Sequence, residues 1–298
     1  MSKLSLSVAV RDYDRTRPLT DGSVQIDGVD PVFMALEPEE SFFRAFRHAE
    51  FDICELSMSS SIVKTAQNDF AYVAVPAFVS RAFRHTSIYV RTDRVRGPAD
   101  LRGRKVGVST VGSVTSWIIS EVSRQKGWGY DGMAQVPIGD DANRIAALKT
   151  RSIDGAIVNL AQALNFVQRG EGKVLLRFGE LVKDFHIHVI FATDKAIAGK
   201  PEALRGFLKG WFQTISFMRT HRNETVEIAK EVMGTDVQTT NGIYDELMPM
   251  FSDTGRFDPK ALAVLRKSFV EMKTLPEEPD MGKLYTEAFL PATGGSNR

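Results

Sequence analysis

The sequence predicts an α/β protein of two lobes joined by two chain crossings. Three observations predict it. Strand-like and helix-like segments alternate through the first 195 residues, the pattern of sheets whose parallel strands are joined by helices. After Asp194 the apolar residues fall at helical spacing instead. Two segments, TSIYVRTDRVRGPADL and HVIFATDKAIAGKPEAL, share one plan of strand, Thr-Asp and a proline-led turn or helix, which suits paired crossings between lobes. A length of 298 residues agrees, since single cores stop growing at about 250–300 residues.

LSLSVAV (4–10) sets Leu4, Leu6, Val8 and Val10 at period two and reads as the opening strand. A helical stretch at 39–48 precedes the strand FDICEL (51–56). SSSIVKTAQ (59–67) is a helix opened by serines able to cap its free amides. Strands are expected at 72–78, 86–92, 104–109, 134–139, 153–159 and 186–193, with helices at 112–127, 140–152 and 161–170. Helices follow at 201–221, 223–233, 237–250 and 258–273. Crossings at about 88–92 and 189–193 place lobe I at 1–89 and 193–298, lobe II at 90–192, and a ligand cleft between them.

Composition narrows the function. With 38 Lys+Arg against 37 Asp+Glu, the chain has no overall field for nucleic acid or an anionic membrane. Its one cysteine, Cys54, excludes an internal disulfide and any cysteine-built metal cluster. No run approaches the roughly 18 apolar residues of a membrane span, so no membrane insertion is expected. The opening strand is not a secretory signal, and a cytoplasmic protein is expected, or a periplasmic one if an upstream leader has been removed.

Ligands in α/β sheets bind beyond the carboxyl ends of strands, beside helix amino termini. The loop after the first strand offers Asp12, Arg15 and Arg17, with arginines able to pair bidentately with a carboxylate; the same residues could pair among themselves. Glu55, Ser57 and Ser59 follow the strand at 51–56, where Glu55 could bind a phenol or act as a base. Ser109, Thr110 and Ser113 offer hydroxyls and amides to an anion, and Asn159 ends the strand at 153–159. Arg81 and Arg84 stand beside His85, so a carboxylate holder adjoins a group that titrates near neutrality. Asp184, His186 and His188 alternate along a strand; the bland reading, two hydrogen-bonding histidines, outweighs a metal site. Neither a metal nor another cofactor is expected. Cys54, inside an apolar strand, should be inert.

DYDRTRPL (12–19), DGVD (27–30), PEESFFR (38–44), FDICELSMSS (51–60) and VPAFVSRAFRHTSIYV (75–90) resemble the 4,5-dihydroxyphthalate decarboxylase family. From about residue 101, LRGRKVGVSTVGSVTSWI, RIAALKTRSIDGAIV and HVIFATDKAIAGKPEALRGFL resemble the substrate-binding proteins of nitrate/taurine-type transporters. Both resemblances imply the two-lobed type II periplasmic-binding fold and a small carboxylate ligand. The pyrimidine synthase of thiamin biosynthesis has a related fold but carries a cysteine cluster that this chain lacks. The first resemblance implies a cofactor-free decarboxylase of a hydroxylated aromatic acid, with His85, Glu55 and His188 as candidate catalytic groups. The second implies a non-catalytic solute-binding protein, with an ABC permease as partner.

Overall fold

The computed structural model describes residues 3–80, 86–159, 166–167, 169–182, 185–252 and 254–291. The chain divides into two compact units: Met1–Arg81, His188–Pro259 and Asp280–Arg298 make unit 1, and Ala82–Ile187 with Lys260–Pro279 makes unit 2. The described strands are β1 (Leu4–Val10), β2 (Val29–Ala35), β3 (Ile53–Ser57), β4 (Tyr72–Ser80), β5 (Thr86–Val90), β6 (Lys105–Val108), β7 (Ala134–Pro137), β8 (Gly155–Asn159), β9 (Lys173–Arg177) and β10 (His188–Thr193).

Each unit holds one five-stranded sheet. Unit 1 has the order β2-β1-β3-β10-β4 and unit 2 the order β7-β6-β8-β5-β9. In the first, β1 runs parallel to β2 and β3, while β10 runs antiparallel to both its neighbours. In the second, β6 runs parallel to β7 and β8, while β5 is antiparallel to β8 and β9. The first two divisions between units fall at 81/82 and 187/188, ahead of the crossings expected at 88–92 and 189–193, so that β5 belongs wholly to unit 2 and β10 wholly to unit 1.

Strands β2 and β9, both at sheet edges, are absent from the expected elements, although the edge strands β4 and β7 are among them. β2 carries Pro31 and is mostly uncovered, so its alternation is blurred and its proline is tolerated. The strand expected at 186–193 begins at His188. The helix expected at 161–170 falls largely outside the described residues.

Local chemistry fixes the helices that frame the sites. Pro38–His48 begins with proline and two glutamates and ends at Ala49 in the left-handed conformation. Val114–Gln125 is capped by Ser113, whose hydroxyl accepts from the Ser116 amide. Pro201–Thr220 buries Leu204, Phe207, Leu208, Trp211 and Ile215 along one stripe. On that stripe Gly206 and Gly210 permit close approach: a Cβ there would stand 3.0 Å from Ile26 and 3.0 Å from Leu19. The helix therefore clamps residues 19–26, just beyond the loop that builds the site.

The C-terminal region expected to return whole to the first lobe is divided. Pro259–Glu271 is a helix as expected, but Lys260–Pro279 belongs to unit 2, where Tyr130 donates to Glu271 at 3.0 Å. Periodicity reveals which face of a helix is buried, not which sheet covers it. Among the described residues, no helix is long and apolar enough to cross a membrane.

Candidate functional site

The chemistry of unit 1 gathers where β1 ends beside β3. Loop 11–16 is folded by Thr16, whose Oγ1 donates to the Arg11 carbonyl at 2.8 Å and accepts from the Tyr13 amide at 3.0 Å. The turn stacks the Arg15 guanidinium on the Tyr13 ring, 3.7 Å from its centroid. Arg15 is buried and pinned, its Nε donating to the Val79 carbonyl at 2.7 Å and its Nη1 to Asp14 at 3.3 Å. This packing carries the Tyr13 hydroxyl to Glu55.

Glu55, in the middle of β3, is 1% exposed. Its Oε1 accepts from the Tyr13 hydroxyl at 2.9 Å and lies 2.8 Å from His188 Nδ1. An ionised carboxylate can only accept, so Nδ1 carries a hydrogen and Nε2 is the nitrogen left for other work. Register explains the meeting. His188 lies opposite Ser57 and Glu55 opposite Ile190, which makes Glu55 and His188 diagonal neighbours on one sheet face. The Arg11 amide donates to Oε2 at 3.4 Å, and Phe42 meets the imidazole edge to face at 5.4 Å.

Burial works to raise the Glu55 carboxyl. The hydrogen bond and charge of His188, then Arg15 and the Tyr13 hydroxyl, outweigh it, so the group titrates below the ordinary glutamate value. The Tyr13 phenol moves the other way, pushed up by burial and then by the Glu55 charge, and remains a donor. Burial likewise pushes the Cys54 thiol up, as expected of an inert cysteine.

The other candidates divide. Asp12 and Arg17 are exposed and pair with each other at 3.2 Å, while Arg15 is spent on Val79, Asp14 and the Tyr13 ring. Within the turn the aspartates thus engage Arg15 and Arg17, the pairing named above as the alternative to a carboxylate grip. The phenol that Glu55 was expected to bind is the protein's own Tyr13. Ser57 and Ser59 are buried at the start of the helix Met58–Ala66, and their hydroxyls have no hydrogen-bond partner among the described residues.

In unit 2, Ser109 and Ser113 join Thr115 in a ring of hydroxyls, with Oγ–Oγ contacts of 2.9–3.0 Å. Ser113 also donates to the Thr110 carbonyl at 2.7 Å, and Thr115 accepts from the Ser109 amide at 2.9 Å. Asn159 occupies the last position of β8. Arg81, Arg84, His85 and Asp184 lie outside the described residues. His186 is fully buried in unit 2, and among the described residues no group of three or more His, Cys, Asp or Glu is arranged to hold a metal.

Tyr13 and Thr115 were passed over in the sequence. The available signals were the tyrosine inside an arginine-rich turn and the third hydroxyl of Ser113-Val114-Thr115.

Comparison with known proteins gives the chain a family and a fold. The family described as NMT1/THI5 like matches residues 48–225, more than half of the chain. The chain belongs to the NMT1/THI5-like family. A 4,5-dihydroxyphthalate decarboxylase of Comamonas testosteroni is 67% identical over 109 residues, 36% of this NMT1/THI5-like chain and 33% of the relative. One of Pseudomonas putida is 65% identical over 109 residues, 36% of this chain and 42% of the relative. The matched stretch thus spans well under half the length of either. Among solved structures, the periplasmic aliphatic sulphonate binding protein SsuA of Escherichia coli superposes with a TM-score of 0.74 at 15% identity, covering 100% of this chain and 97% of that protein. The NMT1/THI5-like chain therefore has the periplasmic-binding-protein fold that its sequence implied.

Proposed function

We propose that this protein is a decarboxylase of a hydroxylated aromatic carboxylate of the 4,5-dihydroxyphthalate type. The observation that carries the reading is the buried Glu55 held 2.8 Å from His188 Nδ1. The high identity to two 4,5-dihydroxyphthalate decarboxylases over a third of the chain supports the substrate class.

When an aryl carboxylate loses carbon dioxide, the bonding pair stays with the ring, and a proton must reach that carbon. In 4,5-dihydroxyphthalate each carboxyl-bearing carbon is para to a hydroxyl, whose lone pair enriches it. A His188 imidazolium, held at Nδ1 by Glu55, has Nε2–H to give. Transfer of that proton forms the C–H bond. The C–C bond then breaks, its electron pair restores the aromatic ring, and carbon dioxide leaves with 3,4-dihydroxybenzoate. Water returns a proton to the imidazole. Glu55 acts as the positioning partner of His188, and Ser57 and Ser59 are assigned to a substrate carboxylate. Arg81, Arg84 and His85 retain their assignment as carboxylate holders and a second proton donor. No step of this scheme calls on a cofactor.

The hydroxyl ring of Ser109, Ser113 and Thr115, suited to an oxyanion, favours a second reading. In it the protein binds a small organic anion for an ABC permease and transfers no proton. Turnover decides. Purified protein with 4,5-dihydroxyphthalate, after chelation and then with divalent metals, is expected to release carbon dioxide and 3,4-dihydroxybenzoate. His188→Gln should lower that rate by about 100-fold or more while the protein stays folded. Ligand-induced stabilisation without any carbon dioxide from the unmutated protein would overturn the first reading in favour of the second.

A further inference from the structure

The loop at 11–17 could grip a carboxylate or pair within itself, and its geometry serves a further purpose. Tyr13 and His188 converge on a single oxygen of Glu55, at 2.9 and 2.8 Å, while among the described residues the other oxygen receives the Arg11 amide at 3.4 Å. The two donors fix the carboxylate plane between them. Tyr13 is itself fixed, through the Arg15 guanidinium on its ring and the Thr16 hydroxyl on its amide. Arg15 in turn is anchored to β4 at the Val79 carbonyl. A chain of contacts thus runs from β4 through Arg15 and Tyr13 to Glu55, and every link is buried or part-buried.

We infer that Tyr13 is a positioning residue: its hydroxyl, braced by Arg15, holds Glu55 as an ionised acceptor directed at His188 Nδ1. The inference rests on His188 and Glu55 working as the pair proposed above. It goes beyond that reading in giving the arginine-rich turn the task of building the acceptor rather than gripping substrate. Among the described residues, the groups that face Glu55 are Tyr13, Arg15 and the Arg11 amide from the turn and His188 from β10, while the Cys54 thiol lies on the other face of β3. Of these donors, only the Tyr13 hydroxyl can be deleted without disturbing a charge or the backbone.

Tyr13→Phe keeps the ring under Arg15 and removes the donor alone. Loss of a hydrogen bond to a charged group is expected to lower kcat about tenfold, with KM unchanged. It should also move the acid limb of the kcat profile to higher pH, because Glu55 then protonates more readily. In a Glu55→Gln background the same change should produce no further fall, since its effect passes through that carboxylate. Thermal unfolding should show Tyr13→Phe folded as the parent is. An unshifted acid limb, or an equal further loss in the Glu55→Gln background, would overturn the inference. If the unmutated protein shows no turnover, the decarboxylase reading fails on its own. The placement of Tyr13 is then tested by following carboxyl titration in protein labelled with carbon-13 at glutamate Cδ. Glu55 should titrate at higher pH in Tyr13→Phe, and an identical titration in both proteins would refute it.

Discussion

Replacing Glu55 by Gln keeps the shape of the side chain and removes its charge. In the parent protein, Oε1 serves Tyr13 at 2.9 Å and His188 at 2.8 Å, and Oε2 faces the Arg11 amide at 3.4 Å. Glutamine has one oxygen for three donors. Its cheaper orientation leaves that oxygen with Tyr13 and His188 and turns the NH2 group toward the Arg11 amide. Two charge-assisted bonds then become neutral ones, a loss of roughly 2–3 kcal/mol. Relief from burying a charge offsets part of this, leaving about 1–2 kcal/mol net. In a unit of this size that lowers the melting temperature by about 2–8 °C. The pH dependence has a definite sign. Glu55 titrates below its ordinary value of 4.5, so its stabilising contribution is complete above that value and is lost as pH falls through the lowered folded value. Melting followed by circular dichroism should show the full gap at about pH 7 and a smaller one at about pH 3. Equal melting of the two proteins at neutral pH, or a gap that widens on acidification, would refute the reasoning.

Two further outcomes follow from the same network logic. Asp52 accepts from the Ser7 amide and from Lys200, each at 2.9 Å, and these contacts outweigh burial to hold its carboxyl below the usual range. Asp52→Asn should therefore cost about 1–2 kcal/mol at neutral pH in denaturant titrations, a deficit that shrinks as acid protonates the parent carboxylate. Ser61 is fully buried in a helix, with a hydroxyl that has no hydrogen-bond partner among the described residues. Ser61→Ala should leave stability within about 0.5 kcal/mol of the parent or raise it, and a loss above about 1 kcal/mol in the same titration would show that the hydroxyl does have a partner.

The features legible in the sequence were those written in local periodicity. The opening strand, the capped helices and the amphipathic stripe of Pro201–Thr220 each declare themselves within a window of a few turns. The two reversed strands were also recognisable, by their shared Thr-Asp endings. Glu55 and His188 stood out singly, but their partnership did not, because 133 residues separate them and only cross-strand register brings them together. The loop arginines allowed two readings, a carboxylate grip or pairing within the turn, and composition cannot show that Asp12, Asp14, Glu37 and a backbone carbonyl engage them. Tyr13 carried no charge pattern and was passed over. The division of the C-terminal region lay beyond periodicity altogether.

The position of β10 has a consequence for how the molecule comes into being. Until residues 188–193 are synthesised, β3 and β4 lack the strand that lies between them, and each presents an open row of amides and carbonyls. The stretch most similar to the curated relatives, for all its high identity, contains Glu55 but not the strand that completes its sheet. A fragment ending before His188 should expose those edges and aggregate. On the ribosome, the first sheet must wait for a segment more than a hundred residues downstream, a slow, long-range closure. The imidazole reaches the carboxylate in the same event that seals the sheet, so chains that fail to close it also lack the assembled pair.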